Sequence, residues 1–142
     1  MANILIVDDD PAVQATIRIV LERAGHHAVA AGDGERGLAI FEAGSFELLI
    51  LDIFMPRMDG LETMRLIRRQ RPKIPILVIS GRPIPLDSED APDFLTVADH
   101  LGAVSCLQKP FKPDALLAAI AGCLEAAKQP SSSVQVGDIA LG

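Results

Sequence analysis

The chain has 142 residues, 49% of them hydrophobic, which is enough for one domain with a packed core and too apolar for a chain that stays unfolded. Its 13 basic and 19 acidic side chains give a formal net charge of −6, which argues against nonspecific nucleic-acid binding, since that needs a basic surface. No apolar stretch approaches membrane-spanning length, Met1-Ala2-Asn3 leads into the first apolar run without a basic segment, and Cys106 and Cys123 lie in apolar contexts; a cytoplasmic protein with reduced thiols is expected.

The run Ile4-Leu5-Ile6-Val7 predicts a buried first strand, and Asp8, Asp9 and Asp10 follow it directly. Asp10 is a suitable N-cap for a helix that Pro11 opens, with Val13, Ile17, Leu21 and Ala24 at helical spacing and Gly25 as its stop. His27 to Ala31 predicts a weak second strand. Asp33-Gly34 turns into a helix carrying Leu38 and Phe41 and ending near Gly44. Glu47 to Leu51 predicts the third strand, with Asp52 directly after it. Asp59 caps a third helix through Leu61, Met64 and Ile67, which Pro72 ends. Pro75 to Ile79 predicts the fourth strand, followed by Ser80 and Gly81. Phe94 to Leu101 predicts a short helix stopped by Gly102, and Ala103 to Leu107 the fifth strand. Lys109 and Pro110 come next, and Pro113 starts a last helix through Leu116, Leu117, Ile120 and Leu124.

Strands alternating with helices imply a doubly wound α/β domain: a five-stranded parallel sheet with helices on both faces. Two segments fall outside the alternation. Gly81 to Pro92 is rich in proline and acid and is expected to form an extended loop. The chain divides into a domain over 1–127 and a flexible tail over 128–142, whose Pro-Ser-Ser-Ser start is followed by Val134 to Leu141 with some strand character.

In an open α/β sheet, ligands bind at the carboxyl ends of the strands. Asp8, Asp9, Asp52, Ser80 and Lys109 all follow such ends. Three converging carboxylates repel one another unless a cation lies between them, so a divalent metal beside one special aspartate is expected. Three carboxylates, a hydroxyl and an ammonium suit phosphoryl transfer, which needs a nucleophile, a hard cation and fixed positive charge. Structural roles are the simpler readings for the other singular residues. Asp10 and Asp59 serve as N-caps, Met55, Met58 and Met64 as packing residues, and His26, His27 and His100 as surface residues. The cluster Arg65, Arg68, Arg69, Arg71 and Lys73 reads as a solvated helix face.

Four segments in this order carry a specific resemblance: Ile4 to Pro11, Leu51 to Gly60, Ile79-Ser80-Gly81 and Lys109-Pro110-Phe111. Over roughly residues 2 to 127 the chain resembles a response-regulator receiver domain of two-component signalling. The resemblance implies a flavodoxin-like receiver fold with strand order 2-1-3-4-5, an order that receivers share with flavodoxins. It implies that Asp52 is the phosphoacceptor, with Mg²⁺ held by Asp9 and Asp52 directly, by Asp8 mostly through water, and by the backbone carbonyl of Phe54. Lys109 would pair with Asp52 and then with the phosphate, and Ser80 would donate to the phosphate. Gly81 would leave room for the incoming group, and Lys109-Pro110 would be cis. The partners implied are a histidine kinase or a histidine phosphotransfer protein and a downstream protein, with no direct nucleic-acid or membrane contact. The protein would be no enzyme beyond catalysing its own phosphorylation and dephosphorylation.

The chain departs from the family pattern in three places. Cys106 stands where receivers usually carry Tyr or Phe, the stretch from Ser80 to Lys109 is longer than usual, and no effector domain follows within the sequence. These departures shift the expected output to the Gly81–Pro92 loop and the helix after it, and suit a stand-alone output protein, phosphate shuttle or phosphate sink. The alternatives are a receiver fragment of a longer regulator with a DNA-binding output domain, a Mg²⁺-dependent phosphatase with an aspartate nucleophile, a flavodoxin-like cofactor binder and an unphosphorylated scaffold. The phosphatase would need a general-acid aspartate where Phe54 stands, and the cofactor binder a Ser/Thr/Gly-rich loop where the acids stand.

Overall fold

The structure, a computed structural model, describes residues 1–52, 60–81 and 104–128. The expectations for Phe54, Met55, Met58, Asp59, His100, the loop beyond Gly81, the helix at Phe94 to Leu101 and the tail from 129 onward lie outside the described residues.

Among the described residues the elements follow in this order: β1 (Asn3–Val7), α1 (Pro11–Arg23), β2 (His27–Ala31), α2 (Gly34–Ala43), β3 (Leu48–Asp52), α3 (Gly60–Gln70), β4 (Ile76–Ser80), β5 (Val104–Gln108) and α4 (Pro113–Lys128). The strands form one parallel sheet in the order β2-β1-β3-β4-β5, as expected. Strands β3, β4 and β5 each end one residue later than the apolar pattern predicts. The reason is pairing: Asp52 lies opposite Ile79 and Ser80 opposite Gln108, so the ladder includes polar residues that hydropathy assigns to the loops. The last helix likewise includes Lys128, one residue into the stretch assigned to the tail.

Alternate residues of the central strands feed two cores. Leu5, Val7, Leu49, Leu51, Ile76 and Val78 face α2 and α3, where they meet Phe41, Phe46, Met64 and Ile67. Ile4, Ile6, Leu48, Ile50, Leu77 and Ile79 face α1 and α4, where they meet Ile17, Leu21, Leu116 and Ile120. Burial on both faces explains why these strands read as unbroken apolar runs. Burying each such side chain contributes on the order of 1.5–3 kcal/mol.

Local chemistry sets the helix ends. Asp10 caps α1 by accepting from the Ala12 amide at 2.9 Å, and Asp33 caps α2 by accepting from Arg36 at 2.8 Å. After α1 the His26 N–H bonds to Leu21 O and the Gly25 N–H to Glu22 O, each at 3.0 Å. This paired closure places Gly25 at φ 91°, a conformation glycine adopts at little cost. Where α2 crosses β1, a Cβ on Gly37 would lie 2.7 Å from a methyl of Val7, so glycine sets how closely the helix approaches the sheet.

Two surface expectations need correction. Arg68 is buried, not solvated. Its guanidinium donates to the carbonyls of Ile74 and Arg71, tying the C-terminal end of α3 to the segment entering β4. Its donors satisfy one carbonyl just past the helix end and one in the segment that leads into β4. His26 is half-buried, and its Nδ1 accepts from the Ala2 N–H at 3.1 Å. Neither role is visible from charge pattern alone.

Candidate functional site

Parallel strands place their carboxyl ends along one edge of the sheet. The adjacent strands β1, β3 and β4, with the β5–α4 connection, bring Asp8, Asp9, Asp52, Ser80 and Lys109 to that edge. Asp52 and Ser80 are the last residues of β3 and β4, both buried. Asp8 is buried and Asp9 exposed in the turn after β1. The Lys109 N–H donates to the Ser80 carbonyl at 2.7 Å, which fixes the lysine beside the end of β4. Lys109-Pro110 is cis, as expected.

The charges converge. One carboxylate oxygen from each of Asp8, Asp9 and Asp52 lies within 4.8 Å of the other two. Lys109 Nζ lies 2.8 Å from Asp8 Oδ2 and 3.2 Å from Asp52 Oδ2. The resemblance pairs this lysine with Asp52; the structure adds Asp8, at the shorter distance. Among the described residues the buried Asp8 Oδ2 has no partner besides this ammonium, so a second lone pair of that oxygen stays open. Its sister Oδ1 accepts from the Asp10 N–H at 2.8 Å.

Burial pushes the Asp8 carboxyl above its ordinary range, and the Asp52 charge adds to this. The Lys109 ammonium and the Asp10 amide oppose that rise without cancelling it. For Lys109, burial favours the neutral amine, but Asp8 and Asp52 together outweigh it and raise its pKa. The lysine is therefore a firm cation at neutral pH. It compensates part of a three-carboxylate cluster and leaves a net negative site.

An all-oxygen donor set with an open, buried lone pair and residual negative charge fits a hard divalent cation. Asp8, Asp9 and Asp52 are the described residues that would hold it. The carbonyl of Phe54 lies outside the described residues.

Space is available beside the cluster. Among the described residues, a Cβ added to Gly81 would meet nothing within 4 Å. From Gly81 and Lys109 an open groove of about 450 Å³ runs along α1, past Val13, Thr16 and Ile17, with Phe111 on its other wall. A buried strand-end carboxylate, a fixed cation, an acidic cluster and open space beside them form a set of groups chemically able to carry a phosphoryl group and neutralise its charge.

Gln14 belongs to this region, and sequence reasoning does not single it out. Its amide reaches the backbone of β1 and β2. The available signal is a polar side chain beside the apolar stripe Val13, Ile17 and Leu21, one turn beyond the N-cap.

Residues 4–121 match the family of response regulator receiver domains. The chain belongs to that family. It is 30% identical to the alkaline phosphatase synthesis transcriptional regulatory protein PhoP of Bacillus subtilis over 135 residues, covering 94% of this chain and 53% of that protein. It is 32% identical to the transcriptional regulatory protein FixJ of Bradyrhizobium diazoefficiens over 140 residues, covering 97% of this chain and 64% of FixJ. This receiver domain thus spans about half to two thirds of the length of these curated relatives.

Among solved structures, the chemotaxis protein CheY4 of Vibrio cholerae aligns with TM-score 0.77 at 30% identity, over 87% of this chain and 99% of that one. A CheY-like receiver domain protein of Methanospirillum hungatei aligns with TM-score 0.79 at 29% identity, over 89% of this chain and 96% of that one. Receiver domains bind Mg²⁺ at an acidic pocket and interact with histidine kinases or phosphotransfer proteins, and this receiver has the acidic cluster. No helix of the described residues is long and apolar enough to cross a membrane.

Proposed function

We propose that this receiver accepts a phosphoryl group on Asp52 from the phosphohistidine of a histidine kinase or phosphotransfer protein. The observation that carries the reading is the placement of Lys109 and the carboxylates of Asp8 and Asp9 around one buried strand-end aspartate, Asp52. An Asp52 carboxylate oxygen forms the new bond to phosphorus, and the donor's imidazole nitrogen leaves with the electron pair of the broken N–P bond. Lys109 then exchanges part of its pairing with Asp52 for a phosphate oxygen, and the Ser80 hydroxyl turns to donate to another. Asp8 and Asp9, with Asp52, would hold Mg²⁺, which would supply charge neutralisation for the transferring group. The groove that begins at Gly81 and Lys109 offers the donor a surface next to the lysine that pairs with Asp52. Attack of water on phosphorus breaks the bond to the Asp52 oxygen, releases inorganic phosphate and returns the free carboxylate, so the protein catalyses only its own phosphorylation and dephosphorylation.

The phosphorylated state acts through protein contacts in the cytoplasm. Cys106 lies opposite Val78 in the β5 ladder and cannot act as an aromatic switch. Output is therefore assigned to residues 81–101, the stretch that follows Ser80 in the chain. A second reading, a regulator with a further DNA-binding domain, is favoured by the greater length of the relatives named transcriptional regulators.

The test is incubation with acetyl phosphate in Mg²⁺ or in EDTA, read by intact mass. Phosphorylation is expected in Mg²⁺ alone and is expected to vanish in Asp52→Asn. Equal uptake by that variant, or uptake in EDTA, refutes the assignment.

A further inference from the structure

Gln14 lies near the start of α1, half-buried, outside the carboxylate cluster itself. Its side-chain nitrogen donates to Asp8 O at 2.5 Å and to Ala31 O at 3.3 Å. These carbonyls stand at the ends of β1 and β2. Ala31 O also accepts the Asp8 N–H at 3.1 Å, so one carbonyl of β2 receives both the strand's last ladder bond and the helix's side chain. The turn that carries the acids is thereby held at several points. The Asp10 N–H bonds to the Asp8 carboxylate, the Asp10 carboxylate caps α1, and the Gln14 amide bonds to the Asp8 carbonyl.

This pattern has an electrostatic consequence. Asp8 and Asp9 are adjacent, and both face Asp52 within 4.8 Å. Their mutual repulsion favours any rotation of the β1–α1 turn that moves one carboxylate away. A clamp on the Asp8 backbone opposes that rotation. A methyl or thioether at position 14 could fill the same space, but it could not bond two carbonyls.

We propose that Gln14 is a positioning residue for the acidic cluster: its amide locks the β1–α1 turn so that Asp8 and Asp9 stay turned toward Asp52, ready for a divalent cation. The inference rests on the reading of the cluster as a Mg²⁺ site. Groups that orient metal ligands without touching the metal commonly change affinity by about 10–100-fold when removed. The lower end is expected here, because the Asp8 N–H to Ala31 bond and the Asp10 cap remain.

The test uses the full chain and Mg²⁺ itself. Affinity is measured by isothermal titration calorimetry well below the unfolding temperature, alongside thermal unfolding in EDTA, for wild type, Gln14→Met, Gln14→Ala and Asp9→Ala. Gln14→Met keeps length and neutrality but removes both donors; Gln14→Ala is the second variant should the first fold poorly. Both are expected to bind Mg²⁺ about tenfold more weakly. Their acetyl phosphate rates are expected to return to the wild-type value at saturating Mg²⁺, because the reacting groups are intact. Unchanged Mg²⁺ affinity in both variants, with Asp9→Ala impaired, would show that Gln14 only ties the helix to the sheet and would overturn the proposal. Wild type and Asp9→Ala binding Mg²⁺ alike would overturn the metal-site reading instead, and this inference with it.

Discussion

Lys109→Met tests the electrostatics of the site most directly. The substitution keeps the length of the side chain and removes the cation that lies 2.8 Å from Asp8 and 3.2 Å from Asp52. Both carboxylates are buried, so the metal-free variant loses the cation that lies between them, and breaking a buried pair in this way costs about 3–5 kcal/mol. Protonation limits the loss. Forcing a proton onto a carboxyl of ordinary pKa, about 3.9, costs about 4 kcal/mol at pH 7 and about 1.5 kcal/mol at pH 5. The expected destabilisation in EDTA is therefore about 3–4 kcal/mol at pH 7 and less than half of that at pH 5.

The sign follows from linkage. In wild type the raised pKa of Lys109 means that its stabilisation is complete below its unfolded value, about 10.4, and is lost only as pH rises through the folded value. In the variant, the folded pKa of Asp8, already raised by burial, rises further. The folded state then binds the proton more tightly than the unfolded state, and stability falls as pH increases from about 4 toward 7. Mg²⁺ is expected to restore much of the loss, since a ligand at a hundred times its Kd adds about 2.7 kcal/mol. Urea unfolding at pH 5 and pH 7, in EDTA and in Mg²⁺, measures all four combinations. A destabilisation of equal size in all four would refute the account of Lys109 as the cation that compensates the cluster.

Ile50→Ala, at a fully buried position of β3 between α1 and α4, is expected to cost about 2–5 kcal/mol by urea unfolding; a cost below about 1 kcal/mol would mean that the core there collapses around the gap. Asp33→Ala removes the acceptor for the Arg36 amide and is expected to cost about 1 kcal/mol, whereas Asp33→Asn is expected to keep most of the cap. His26 is held below its ordinary pKa first by burial and then by the N-terminal charge, against the opposing effect of Glu47. Its contribution is thus present above about pH 6.5 and declines as pH falls toward the folded value. Wild type is expected to lose stability relative to His26→Ala over that interval, and parallel pH profiles would contradict this.

The apolar runs Ile4 to Val7 and Leu48 to Leu51 are enough to identify buried parallel strands, because strands covered on both faces have no polar alternation. The caps Asp10 and Asp33 and the stop at Gly25 are legible because they act on bonds within a few residues. The acids after β1 and β3, with Ser80 and Lys109 at their matching strand ends, identify the site because a parallel sheet sends every strand's carboxyl end to one edge. That much is a property of chain order.

Distances between residues far apart in sequence need the folded chain. Hydropathy cannot place Asp52 and Ser80 inside their strands, since ladder pairing with β4 and β5 decides where a strand ends. It assigns Arg68 to solvent, although the carbonyls of Arg71 and Ile74 draw the guanidinium inward. The family resemblance matches Lys109 to Asp52, but whether its ammonium also reaches Asp8 depends on how β1, β3 and the β5–α4 connection pack side by side. Gln14 carries no motif at all. Its contact with Asp8 and Ala31 exists only because α1 folds back across the ends of β1 and β2. Residue types and their order name the groups able to do the chemistry. Which of those charges share a cation or a hydrogen bond is settled by packing, because such energies depend on separations of a few ångströms across different strands.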